Sequence, residues 1–468
     1  MSAYLNIFKK VVKTKTGRTI LLRKFDKLLY RKVVKENQEL PKSIRLKKYN
    51  IAKATVEGIN RNYEKGLISE HVLDRTIDTL IKFSYTDREL REETKEEFKK
   101  KYGILPPTFI TFAPSQKCNL QCIGCYASSH ENCPTLPFEV VEKVVDELYN
   151  EWGNRFMTVT GGEPFMYKDK GKTLFDIYEK YPEMFFLVYT NGTLITKEVA
   201  KKLAKLGNVT PAISLEGWEK ETDERRGKGV YKKILKSMKN LREAGVLFGV
   251  SITSTKENVD ILLDNKFYEF LFEEQGASYM WQFQLMPIGR GSQVKELMIS
   301  PEQRVKLYRK WEEMIERGYA IADFWNSGVL SNGCIAYGRH GGYLYVDWNG
   351  NIMPCVFVPY YENNILQLHK QGKKLADALF SDLFVNGRKW QQEYGLSCTK
   401  SPDNWLMPCS IRDHYKNFKT NILTKNTKPE DSAAGEALAS QEYEKILTDF
   451  DTELEKLTVP IWKNEYKE

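Results

Sequence analysis

Nowhere in the 468 residues do about 18 apolar residues run together, so no segment is long enough to cross a bilayer as a helix. The first residues carry too much charge for a secretory signal, and the chain is expected to be cytoplasmic. Histidine is scarce, with five in all and no HExxH pair, which removes support for a zinc hydrolase. Gly171, Lys172 and Thr173 imitate the end of a phosphate-binding loop, but Met166 stands where the loop's first glycine belongs, so no phosphate cradle is implied. What remains is a globular composition, 41% hydrophobic and 28% charged, with a length that favours about two to four domains.

The excess of positive charge is confined to one segment. Residues 1–53 hold 16 Lys or Arg against 3 Asp or Glu, a balance of +13, which leaves −4 of the net +9 for the rest. A general affinity for nucleic acid is therefore not expected, whereas a local anionic partner is. Leu5, Phe8 and Val12, then Leu22, Phe25, Leu29 and Val33, recur at helical spacing among the lysines and arginines. Such a stripe either packs on the main domain or lies on an anionic membrane surface. Asn60–Lys82 and Thr86–Tyr102 read as further helices, so residues 1–105 form a basic helical N-terminal region.

Cysteine is used sparingly, eight in all, and mostly in clusters that suit metal ligation better than disulfides. Lys117–Ala127 reads KCNLQCIGCYA, with Cys118, Cys122 and Cys125 separated by three and then two residues. Three thiolates can hold three irons of a 4Fe-4S cluster and leave the fourth iron open to a ligand. The same thiolates suit a zinc knuckle if His130 or Cys133 adds a fourth ligand.

From Pro106 the pattern alternates strand and helix. Strands are predicted at Pro107–Pro114, Arg155–Thr160, Phe185–Thr190, Val209–Leu215, Phe248–Thr253 and Tyr279–Met286. Helices are predicted at Phe138–Trp152, Leu174–Tyr181, Lys197–Leu206, Tyr231–Ala244, Asp260–Glu274 and Pro301–Arg317, the last with a capping box of Ser300 and Gln303. Six right-handed units over residues 106–325 predict an α/β fold, a partial (β/α)6 TIM-type barrel whose site lies at the C-terminal strand ends. The cysteine loop follows the first strand. Gly161, Gly162, Glu163 and Pro164 end the second, where glycines admit a close backbone approach and Glu163 offers an acceptor for an ammonium group.

The CxxxCxxC loop resembles that of the radical S-adenosylmethionine (radical SAM) superfamily. The resemblance implies that the open iron chelates the amino and carboxylate groups of SAM, and that one electron cleaves SAM to methionine and a 5′-deoxyadenosyl radical. It places the GGEP segment at the SAM amino group, Asn191 at the third strand end, Ser214 and Glu216 of SLEG near the ribose, and Met286–Arg290 under the adenine. A zinc knuckle accounts for none of these strand ends. Gly124 departs from the family, which often has an aromatic residue before the third cysteine; Tyr126 follows instead.

Beyond about residue 325 the alternation stops. Tyr343–Asp347 and Ile352–Val358 read as a hairpin around Asn349-Gly350. Cys334, Cys355, Cys398 and Cys409 resemble the SPASM/twitch auxiliary-cluster region within the superfamily, and with this number of cysteines one auxiliary 4Fe-4S cluster over residues 326–425 is expected, the alternative being a structural zinc. Cys133 is left over as an idle thiol. Residues 426–468 read as a polar linker, a helix at Ser440–Lys456 and a tail docking through Val459 and Trp462.

The resemblance implies an enzyme that abstracts hydrogen from a large substrate, with oxidation or cross-linking of a peptide or protein side chain as the first expectation and a ferredoxin or flavodoxin as electron donor. The basic helices raise a lipid chain as the alternative substrate, with peripheral membrane contact through residues 1–53. A zinc-stapled protein that binds nucleic acid or membranes is the reading from another class. No motif marks a general acid or base.

Overall fold

The computed structural model describes residues 2–79, 88–396 and 403–467. All six predicted strands form: β1 (Phe109–Phe112), β2 (Phe156–Val159), β3 (Phe185–Thr190), β4 (Val209–Ser214), β5 (Gly249–Ser254) and β6 (Met280–Gln284). They lie side by side in chain order, every pair parallel. Their residues are almost wholly buried, as expected where helices cover one face and a filled interior the other.

Further strands extend this sheet at both edges beyond the six expected units. β7 (Ile321–Asp323) pairs parallel to β6 and is only three residues long, too short to announce itself by alternation. β8 (Tyr343–Val346) and β9 (Asn351–Met353) are the hairpin expected downstream of residue 325, turning at Gly350 with φ 83°. β8 does not stay apart from the barrel. It pairs parallel to β1 from Phe109↔Tyr343 to Phe112↔Val346, so the sheet runs through the expected 325/326 boundary. A β1 left without this neighbour would present an unpaired row of N–H and C=O groups.

Local signals set the helix ends. Ser300 Oγ accepts from Gln303 N at 3.2 Å and Gln303 Oε1 accepts from Ser300 N at 2.9 Å, the capping box that starts Pro301–Glu316. The helix expected at 60–82 is two helices. Lys42–Glu64 ends before Gly66, whose φ is 72°, and Ser69 caps the next at Glu70–Ile77 by accepting from Val72 N. At the other end, the helix expected to stop at Lys456 continues to Glu465 through Pro460. Proline costs a helix interior about 3 kcal/mol, offset here by burial of Trp462 and Tyr466, whose rings stack at 4.8 Å. The polar stretch read as a linker is ordered: Lys428–Pro429 pairs with Tyr360–Tyr361 and Ser432–Ala439 is helical.

The basic N-terminal helices are anchored to the barrel. Phe8 and Val12 pack against Ile68, Val72, Leu73, Ile77 and Leu247, and Asn62 Nδ2 donates to Gly276 O and Ser278 Oγ at 2.8 Å each. The stripe therefore packs inward at Phe8 and Val12, while Ile20, Phe25 and Leu28 remain exposed.

The helix Pro301–Glu316 is tied to the chain around Cys409 by a buried ion pair. Arg304 donates to both carboxylate oxygens of Asp413, which also accepts from Cys409 N at 3.0 Å. Nearby, Asp451 accepts from Tyr415 N at 2.8 Å through one oxygen, while its other oxygen has no hydrogen-bond partner. Burial pushes its carboxyl up to about 8. A carboxyl raised on folding is stabilising while both states are protonated, and that contribution is lost as pH rises toward the folded value. Through this carboxyl the unfolding free energy is expected to fall between pH 5 and 8, by about 1.4 kcal/mol per pH unit where only the unfolded chain is ionised. Asp451→Asn should flatten that decline, as read from denaturant titrations at pH 5, 6.5 and 8.

Candidate active site

Cys118, Cys122 and Cys125 lie on the loop that leaves β1 and line one cavity of about 300 Å³. The cavity runs from this loop into the barrel, between Thr111 and Thr158 on the first two strands and Trp281 and Phe283 on the sixth. Gly161, Gly162, Asn191 and Ser214 also line it. Residues from the second, third and fourth strand ends thus meet the cysteine loop at one place.

The glycines serve the chain's own backbone. Gly162 N donates to Ser115 O at 2.9 Å and Glu163 N to Lys117 O at 2.7 Å. A Cβ on Gly162 would sit 2.1 Å from Lys117 O and 2.4 Å from Gln116 O. The cysteine loop is therefore seated directly on the end of β2.

Four of the expected site residues lie behind the cavity wall. Glu163, expected near an ammonium group, is fully buried, and its carboxylate accepts from Thr190 Oγ1 at 2.7 Å, Asn191 N at 2.8 Å and Phe165 N at 3.2 Å. It joins the ends of β2 and β3, and burial pushes it up to about 7. Pro164 begins a single turn, Pro164–Met166. Glu216 is buried and holds two guanidinium groups, with Arg226 Nε at 2.8 Å and Arg225 Nη1 at 2.6 Å from its Oε1. Arg290 clamps the cysteine loop, donating to Ser129 O at 2.9 Å and Cys122 O at 3.2 Å, while its own N donates to Cys125 O at 3.0 Å.

The residues Glu216 holds escaped the sequence reading. Arg225 and Arg226 line the cavity at the end of Glu219–Arg226, and their charges oppose the upward push that burial gives the Cys122 thiol. Gln284 was also missed. It is buried against the cavity with neither amide atom hydrogen-bonded. Neither position belongs to a motif, and only the fold shows what they face.

The donor set suits a cluster. Burial pushes the Cys118 thiol up to about 12, so a thiolate there needs a strongly electron-accepting partner. Leu120 N and Asn191 Nδ2 donate to Cys118 Sγ at 3.4 and 3.7 Å, as hydrogen bonds to cluster sulfurs do. The ligands a zinc knuckle would add do not join in: Cys133 is buried away from the cavity, accepting from His130 N at 3.3 Å, and His130 is exposed. Among the described residues no three His, Cys, Asp or Glu side chains converge as for a single ion.

A second cavity of about 230 Å³ is lined by Cys334, Cys355 and Cys409. Cys398 lies outside the described residues. Burial raises all three thiols, Cys355 to about 12. Trp281, Phe324 and Ile335 line both cavities, so one largely aromatic wall divides them.

The Radical SAM superfamily model matches residues 112–261, from the end of β1 to beyond β5. Mycofactocin maturase MftC of Mycolicibacterium smegmatis is 32% identical over 309 residues, 64% of this chain and 74% of that protein. Fe-coproporphyrin III synthase of Methanosarcina barkeri is 32% identical over 202 residues, 42% of this chain, which spans about half, 48%, of that relative's length. Among solved structures, Streptococcus suis SuiB bound to the precursor peptide SuiA superposes with a TM-score of 0.53 at 20% identity, over 72% of this chain and 78% of that one. The family's cofactors are SAM and a 4Fe-4S cluster, and the cysteine loop has the donors for the cluster. Gly162→Ala, by driving Lys117 from its seat, is expected to lose most of the iron held by Cys118, Cys122 and Cys125, measured as iron per chain; full retention would show that the loop is seated otherwise. Matched by a family model across its cysteine loop and by a relative over three quarters of that relative's length, the chain belongs to the radical SAM superfamily.

Proposed function

We propose that the chain oxidises or cross-links a side chain of a peptide or protein, using a radical SAM centre at Cys118, Cys122 and Cys125 and one auxiliary 4Fe-4S cluster at Cys334, Cys355, Cys398 and Cys409. The observation that carries the reading is the pair of cysteine-lined cavities sharing one aromatic wall. A substrate carbon in the first cavity then lies between the place where hydrogen is removed and a site able to take the remaining electron. The name of MftC, a maturase, and the precursor peptide held by SuiB are in keeping with a peptide substrate.

When bound, SAM and the cluster supply a 5′-deoxyadenosyl radical by one-electron cleavage. The chain's own residues prepare the place. Glu216 holds Arg225 and Arg226 toward the cavity, where their charges suit a carboxylate. Asn191 holds Asn119 and Cys118 in position. Phe109, Tyr126, Trp281 and Phe283 give the cavity an apolar aromatic lining. Gln284 offers an unpaired amide donor and acceptor to whatever enters. Ile123, 48% exposed between Cys122 and Gly124, gives a ferredoxin or flavodoxin an apolar contact beside the cluster.

Anaerobically reconstituted protein is expected to carry about eight irons and eight sulfides per chain and to release 5′-deoxyadenosine under dithionite. Replacing Cys118, Cys122 and Cys125 by alanine should remove about half of the iron and all of that product. Zinc in place of iron would sink the reading, and formation of Fe-coproporphyrin III with no turnover of peptide would sink its substrate class.

A second reading, membrane contact, has its own support. Val11, Ile20, Phe25 and Leu28, between 36% and 49% exposed, fall in the segment that carries the excess of Lys and Arg, with Ile20, Lys24 and Leu28 on one helical stripe. This is the composition of a helix that lies on an anionic bilayer. The full chain is expected to float with vesicles containing phosphatidylglycerol and not with pure phosphatidylcholine. An Ile20→Ser, Leu28→Ser double variant should lose most of the binding, and equal flotation by both proteins would argue against the contact.

A further inference from the structure

Tyr343 reaches from one cysteine site to the other. Its ring lines the first cavity and stacks on that of Phe109, with centroids 5.2 Å apart and planes 4° from parallel. Its hydroxyl lies 2.9 Å from the sulfur of Cys355, which lines the second cavity. The position is fixed by backbone pairing, because Tyr343 is the register partner of Phe109 where β8 meets β1. The tyrosine is buried, so water does not compete for its proton.

We propose that Tyr343 donates a hydrogen bond to the Cys355 sulfur and so sets the reduction potential of the cluster held by the second cysteine set. This rests on the proposed presence of that cluster. A sulfur bound to iron as thiolate has no proton, so between these two atoms only the phenol can donate. A donor aimed at a ligand sulfur draws electron density from the cluster and favours the reduced state, which carries one more negative charge. Cys355 receives a second donor, Phe357 N at 3.4 Å, a backbone group that no side-chain substitution removes. Tyr343 is therefore the adjustable one of the two, and it stands in the wall of the substrate cavity. It acts through Cys355 and is a positioning residue, not a catalytic one.

The test is an EPR-monitored redox titration of the reconstituted full chain, with and without Tyr343→Phe. The same comparison is repeated in the chain whose Cys118, Cys122 and Cys125 are alanine, which isolates the second cluster. At equal iron and sulfide content Tyr343→Phe is expected to move the second cluster's midpoint to a more negative value and leave the first cluster's in place. The parent protein should show an exchangeable proton coupled to the reduced second cluster by proton ENDOR, and the variant should lack that coupling. An unchanged midpoint, an equal shift in both clusters, or a parent spectrum without the coupled proton would overturn the proposal. Absence of iron and sulfide from the alanine variant would instead overturn the auxiliary-cluster reading beneath it, a failure told apart by metal analysis before any titration.

Discussion

Burial of sulfur is the constraint around which this molecule is arranged. A thiol removed from water resists ionisation, and Cys118, Cys122, Cys334, Cys355 and Cys409 are all pushed upward for that reason. Such residues ionise only toward a partner that withdraws electrons strongly, and iron in a cluster does so. The surroundings reduce the remaining cost by small, directed contributions: the N–H groups of Leu120 and Phe357, the amide of Asn191, the phenol of Tyr343 and the two arginines held by Glu216. None forms a conspicuous motif. In the proposed function, together they are what separates a cluster site from three cysteines that happen to be near one another.

The strand β1 sets the relation between the two sites. Its C-terminal end leads into the first cysteine loop, its neighbour β2 provides the glycine seat for that loop, and its other neighbour β8 leads toward Cys355. Parallel pairing on both sides fixes these connections to the register of single residues. The helix Pro301–Glu316 fastens the far side through Arg304 and Asp413, a buried charged pair whose loss on one side would leave an uncompensated charge. Chemistry and scaffold are thus joined at the level of the backbone.

Much of this was legible in the sequence, for reasons that differ from residue to residue. The spacing of Cys118, Cys122 and Cys125 is local and needs no fold to be read. The six strands of four to six residues alternate with helical patterns between turn residues, and the Ser300 capping box is a four-residue signal. β7 escaped because three residues cannot show a period. The pairing of β8 with β1 escaped because it joins residues more than 200 apart, which no local pattern encodes. The motif marks Glu163 from its neighbours, whereas its burial and its donors Thr190 and Asn191, at the end of β3, come from packing that no local pattern encodes. Arg225 and Arg226 resemble any basic pair at a helix end until Glu216 is seen to hold them.

The continuity of the sheet from β7 to β9 bears on how the protein can be divided. A fragment ending at residue 325 would retain the whole first cysteine loop and every strand with helical connections, and by sequence it would pass for a complete catalytic unit. It would also strip β1 of its outer partner and leave a buried apolar strand as a template for addition by another chain. The C-terminal third of the molecule is in this sense a stopper for the barrel as well as the bearer of a second set of sulfurs, and excision of either part is a route to aggregation rather than to a minimal enzyme.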